Sequence, residues 1–92
     1  MAGEPLIFRL HAIERMAQRS ISIEEVRHVL ETGEVIEDYP GDLPYPSALV
    51  LGWRQNRPLH VVAATAPEGR IIITVYQPDP ARWQPDFKRR TP

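Results

Sequence analysis

The chain predicts an α+β fold in which two N-terminal helices pack on one face of a mainly antiparallel four-stranded sheet. Three observations carry that prediction. Apolar residues recur at helical spacing as far as Gly33, and from Glu34 onward the spacing becomes that of strands. The strand-like runs are joined by polar turns too short to hold a crossover helix, so neighbouring strands pair antiparallel. Both helical segments precede that series, which leaves them to cover one face of the sheet.

In chain order, Pro5 to Arg9 is short and apolar, either a brief edge strand or an entry segment. His11 to Arg19 follows with Ile13, Met16 and Ala17 on one helical face, and His11, Arg15 and Arg19 form a cationic stripe beside it. Ser22-Ile23-Glu24-Glu25 is a capping box, with Ile21 placed to staple onto Val26. Ile23, Val26, Val29 and Leu30 are the expected buried stripe of this second helix, and Gly33 is the expected left-handed cap. Strands are expected at EVIEDY from Glu34 and at SALVLGW from Ser47, the second apolar enough for burial on both faces. The proline-rich segment from Pro40 to Pro46 is a loop between them. The last two strands form the hairpin PLHVVAATAPEGRIIITVYQ, and Pro78 and Pro80 end the sheet by removing ladder donors.

Size and composition bound the rest. At 92 residues the chain is one domain, 1–92, with an ordered core expected over about 6–84 and a basic, solvated tail over 85–92. Apolar content of 42% and charged content of 25% are those of a globular protein. The chain has no cysteine, which removes disulfides, thiolate metal sites and a Cys nucleophile. No apolar run is long enough to span a bilayer, and the N-terminus lacks the pattern of a secretory signal, so a cytoplasmic protein without membrane contact is expected. A net charge of −1 offers nucleic acid no global attraction.

The hairpin carries the most chemical information. A three-residue turn at Pro67-Glu68-Gly69 sets Val62 opposite Thr74 and His60 opposite Tyr76, placing Arg70 with them on one face and Ile71, Ile73 and Val75 on the other. A two-residue turn slips the register by one and turns His60 onto the face of the isoleucines. The longer turn separates polar from apolar more cleanly and is the expectation.

No phosphate-cradling loop, paired-histidine helix or nucleophile elbow occurs. The three histidines, His11, His28 and His60, lack ligand-like spacing, so neither a metal nor a cofactor is expected. What remains is His11 and Arg15 on a helix with His60, Thr74 and Tyr76 on the sheet. His exchanges protons near neutral pH, Arg grips a phosphate bidentately, and Tyr donates to an oxygen or stacks on a base. Those groups suit metal-independent RNA cleavage, in which the 2′-hydroxyl supplies the nucleophile. The rival reading makes the same residues a structural polar network inside a non-catalytic binding module.

His11-Ala12 with Arg15-Met16, Arg19 with Ile21, Gly33-Glu34-Val35, Pro58-Leu59-His60-Val61-Val62 and the run from Ile73 through Tyr76, Pro78 and Asp79 to Trp83 together resemble the family labelled domain of unknown function 4258. Its order of elements is similar to the RelE-type ribonuclease toxins and the barnase-like endonucleases. That likeness implies a RelE-like fold, an RNA substrate and an antitoxin protein as partner. Family position falls on His11, Arg15, His60, Thr74 and Tyr76. The expectation is therefore His11 and His60 as general acid and base, Arg15 on the phosphate and Tyr76 beside it, with Thr74, Arg19 and Arg70 binding substrate.

Overall fold

The computed structural model of the chain describes residues 4–92, so the first three residues of the expected domain lie outside it. The elements run β1 (Leu6–Phe8), α1 (Leu10–Arg19), α2 (Ile23–Thr32), β2 (Glu34–Tyr39), β3 (Ser47–Arg54), β4 (Arg57–Ala66) and β5 (Gly69–Tyr76). They form an α+β protein around a five-stranded mixed sheet of order β1-β5-β4-β3-β2. The expected four-stranded sheet is thereby corrected. The entry segment is a true strand, and it lies parallel to β5, pairing Leu6 to Phe8 with Arg70 to Ile72. The helical pair carries the chain across the sheet to β2 at the far edge, and the antiparallel series β2 to β5 brings it back beside β1.

The helices pack on one face. Ala12 and Met16 of α1 and Val26 and Val29 of α2 meet Val50, Leu59, Val61, Ala63, Ile72 and Val75 of the sheet in one buried cluster. The capping box starts α2 as expected: Ser22 Oγ accepts from the Glu25 N–H at 3.1 Å, and Glu25 Oε1 accepts from the Ser22 N–H at 2.8 Å. Ile21 is buried in the same cluster as Val26. Two helical details differ from expectation. Ile13 and Ile23 are 50% and 53% exposed rather than core. Gly33 is extended, not left-handed, and glycine is needed there because a Cβ would fall on the carbonyls of Val29 and Leu51.

The hairpin reaches its expected register by another route. Its loop holds two residues, Pro67 and Glu68, since Ala66 pairs with Gly69, and a bulge at Ile73 then restores the pairs Val62 with Thr74 and His60 with Tyr76. A bulge inserts one residue and resets the alternation of faces. Ile72 and Val75 consequently point at the helices, in place of Ile71, Ile73 and Val75. Gly69 has a φ of 147°, and a Cβ there would strike the Pro5 carbonyl. That carbonyl accepts from the Arg70 N–H at 2.9 Å and so docks the start of β1.

The opposite face of the sheet is covered too, by the segment from Pro78 to Pro92. The tail expected over 85–92 is solvated at most of its positions, but it folds back as a strap. Trp83 is 4% exposed and bridges Arg90, while Thr91 N–H donates to the Arg82 carbonyl at 2.9 Å. Phe87 packs edge-on to Trp53. Arg90 donates twice to the Glu37 carboxylate, at 3.0 and 3.1 Å, and Lys88 pairs with Glu34. Burial on both sides accounts for the continuous apolar centre of β3, where Leu49, Val50 and Leu51 are all buried. Among the described residues no helix is long and apolar enough to cross a membrane.

Candidate functional site

β1 pairs with only the first half of β5, ending where the Arg9 N–H donates to the Ile72 carbonyl at 3.1 Å. There the chain turns into α1, which continues beside the remaining half of β5. Past the end of β1 a groove opens between helix, strand and strap, with a volume of about 550 Å³. His11, Arg15 and Arg19 line it from α1, Thr74 and Tyr76 from β5, and Asp79, Arg82, Trp83 and Arg90 from the strap. The fourfold spacing of His11, Arg15 and Arg19 sets all three on one helical stripe, and the bulge at Ile73 turns Thr74 and Tyr76 away from the helix-packed core.

The groove is cationic although the chain is nearly neutral. Arg15, Arg19 and Arg82 make no side-chain hydrogen bond or ion pair among the described residues. Arg90 is held by Glu37 and lies over the Trp83 ring at 4.7 Å, so its charge is already matched. The strap's own acid, Asp79, is occupied in part: its Oδ1 accepts from the Ala81 N–H at 2.9 Å.

His60 does not reach the groove. It has no exposed surface and sits edge-on between Tyr76 and Trp83, with ring centroids 5.2 and 4.4 Å away. Its Nε2 lies 2.9 Å from the Phe87 carbonyl and its Nδ1 3.1 Å from the Tyr76 hydroxyl. A carbonyl only accepts, so Nε2 carries the proton and Nδ1 accepts from the Tyr76 O–H. Burial holds the imidazole below its ordinary pKa, against the opposing pull of the Phe87 carbonyl and Glu37, which favours this neutral form. Burial likewise raises the Tyr76 hydroxyl. The result is a fixed chain from strap backbone through His60 to Tyr76, whose oxygen keeps lone pairs for a ligand donor.

Arg70 lies elsewhere. The reset of faces at Ile73 turns it toward α2, where it pairs with Glu4 and lines a separate cleft with Arg27 and Glu31. Of the seven residues singled out from sequence, five therefore share the groove, His60 stands behind it, and Arg70 is remote. The groove also holds residues that sequence reasoning missed: Gln77, Asp79, Arg82, Trp83 and Arg90. The mixture of arginine and aromatic residues after Pro80 was the available signal for Arg82, Trp83 and Arg90. Behind the strap, Glu37 also accepts from the Tyr39 hydroxyl; burial and that carboxylate push the Tyr39 pKa up to about 12, while Arg90 draws the Glu37 carboxyl down.

Chemically the groove offers one imidazole, three unmatched guanidiniums and two hydroxyls. Such a set suits an anionic oxygen ligand, phosphate above all, because guanidiniums recognise it bidentately. No curated protein and no solved structure matches the chain. The family described as Domain of unknown function (DUF4258) matches residues 8–77, which is most of the chain, and the protein belongs to that family.

Proposed function

We propose that the protein is a small, toxin-like, metal-independent endoribonuclease of the RelE or barnase type, acting on RNA in the groove between α1, β5 and the strap. One observation carries the reading: His11, Arg15, Arg19, Thr74 and Tyr76 converge on a single open groove with three unmatched guanidiniums. RNA brings its own nucleophile. The 2′-oxygen bonds to phosphorus as the bond to the 5′-oxygen breaks; His11 takes the 2′-hydroxyl proton and returns it to the departing oxygen. Arg15 and Arg19 meet the charge that builds on the non-bridging oxygens, while Thr74 and Tyr76 orient the ribose and phosphate. His60 becomes a positioning residue, since both its nitrogens are engaged and it fixes the Tyr76 hydroxyl from behind. The antitoxin partner and a cytoplasmic site of action rest on the toxin analogy alone.

The test is incubation of purified protein with RNA in EDTA, followed by analysis of the ends. Cleavage leaving 2′,3′-cyclic phosphate is expected, with a loss of about 10²-fold or more in His11→Ala and in Arg15→Ala. An inert wild type, or a folded His11→Ala that cuts at the full rate, ends the reading. Buried His60, with both ring nitrogens bonded, favours a second one, a binding module whose polar network is structural. RNA bound by the groove but never cut would select it.

A further inference from the structure

Resting on the reading above only in that the groove takes a phosphodiester chain, we propose that the C-terminal strap completes the ligand site. Arg82 is a backbone-phosphate contact for single-stranded RNA, working with Arg15 and Arg19 of α1. The strap follows residues 8–77, the part of the chain over which the family matches.

Three observations support the assignment. Arg82 lines the groove from the strap, and it makes no side-chain hydrogen bond or ion pair among the described residues, whereas Arg54, Arg70, Lys88, Arg89 and Arg90 are all paired. An unmatched guanidinium on the wall of a polar cleft is a ready phosphate ligand.

The backbone that carries Arg82 is held on every side. Asp79 organises the turn: its carbonyl accepts from the Arg82 and Trp83 N–H groups at 2.9 and 3.1 Å, and its Oδ1 accepts from Ala81. The Arg82 carbonyl in turn accepts from Thr91, and the Thr91 hydroxyl donates to the Ala81 carbonyl. Next in sequence, Trp83 is buried against His60. A guanidinium on so fixed a base loses less freedom on binding than one on a loose terminus.

Finally, the strap's other arginine in the groove is already committed. Arg90 grips Glu37 with two hydrogen bonds and stacks on Trp83, so it fastens the strap and leaves Arg82 as the strap's available cation. A volume of about 550 Å³ suits a short length of one strand rather than a duplex.

The experiment is an anisotropy titration with a 2′-O-methyl oligonucleotide, which keeps the phosphate backbone of RNA but lacks the hydroxyl needed for cleavage, over a range of salt. Each phosphate contact on a single strand contributes about −0.7 to the slope of log K against log salt. Three contacts give a slope of about −2, and roughly 20-fold weaker binding between about 50 and 200 mM salt. Arg82→Ala should reduce the slope to about −1.4 and the weakening to roughly 7-fold. Arg82→Lys should restore most of the slope, and Arg57→Ala, which is not among the residues lining the groove, should leave it unmoved. A wild-type slope in Arg82→Ala, an equal loss in Arg57→Ala, or no binding at low salt overturns the proposal. Its fate is separable from that of the enzyme reading. Arg82-dependent binding without cleavage of ordinary RNA sinks only the ribonuclease, whereas cleavage with an unmoved slope sinks only the strap site.

Discussion

His60→Ala removes a side chain with no exposed surface, two hydrogen bonds and edge-on contacts to Tyr76 and Trp83. Truncating a buried aromatic ring to alanine costs about 3–5 kcal/mol, with the imidazole toward the lower end because it is smaller than a phenyl ring. Each lost hydrogen bond adds about 1 kcal/mol, although the half-exposed Tyr76 hydroxyl recovers part of its share from water. A total of about 3–5 kcal/mol follows, against the roughly 5–15 kcal/mol that holds a domain of this class together. At about 4–8 °C per kcal/mol, the melting temperature should fall by about 12–40 °C. Two further variants separate packing from bonding. His60→Phe keeps the volume but leaves the Phe87 carbonyl without its donor, for a cost of about 1–3 kcal/mol. His60→Gln can donate to Phe87 and accept from Tyr76, so it should be the mildest of the three. Urea unfolding followed by circular dichroism gives the ranking. An Ala variant within about 1 kcal/mol of wild type would show that the imidazole fastens nothing. If His60→Gln is folded yet loses cleavage about a hundredfold, His60 is an acid or base after all.

The same residue sets a pH dependence. Because burial depresses the folded-state pKa of His60 below its ordinary 6.5, its contribution is complete above that pH and is lost as pH falls toward the folded value. The slope there reaches about 1.4 kcal/mol per pH unit; His60→Phe should lack it, and superimposable pH–stability curves for the two proteins would refute the assignment. Gly69→Ala puts a Cβ against the Pro5 carbonyl at a φ of 147°, a region kept almost wholly to glycine. It should cost about 2–4 kcal/mol and strip hydrogen-exchange protection from the Arg70 amide; an unchanged urea midpoint speaks against that crowding. Glu37→Gln weakens the hold on Arg90, and since the pair is partly exposed the loss in stability should stay near 1 kcal/mol. Proteolysis within residues 84–92 should nevertheless become faster, and equal rates would show that the clamp does not hold the strap.

How much of this was legible in the sequence depends on how local the causes are. The capping box of α2 and its boundaries follow from contacts within a few residues, and they stand as read. The pairing of His60 with Tyr76 also stands, but through two offsetting departures: a turn one residue shorter than expected and a bulge at Ile73. Register can survive such a cancellation while the faces do not, which is why Arg70 and the isoleucines changed sides. β1 could not be placed beforehand, because three residues carry too little periodicity and a parallel partner far along the chain leaves no local trace. The strap was hidden for a related reason. Lys88, Arg89 and Arg90 read as a solvated run until Glu34, Asp86 and Glu37 are seen to meet them. In the groove, the helical stripe of His11, Arg15 and Arg19 is a matter of spacing and was readable. Arg82 depends on where the strap lands, and it was not.

The near-neutral charge of the chain bears on function less than it first suggests. Five cations, Arg54, Arg70, Lys88, Arg89 and Arg90, are matched to carboxylates, all but Arg90 outside the groove lining, and Arg27 is bonded to the Glu4 carbonyl. Among the eleven Lys and Arg residues that leaves Arg9, Arg15, Arg19, Arg57 and Arg82 without such a partner among the described residues. Three of those five line one groove. A net charge sums over distances far greater than a Debye length of about 8 Å, whereas a phosphate in the groove responds to the guanidiniums beside it. The acids thus neutralise the molecule as a whole while leaving this groove cationic. A chain of this kind should bind its ligand without the broad electrostatic steering of a basic protein, slowly on and with few phosphate contacts. The modest salt slope of about −2 expected for the wild type is a direct measure of that arrangement. A slope several times steeper would mean that the ligand engages a far larger surface than the groove.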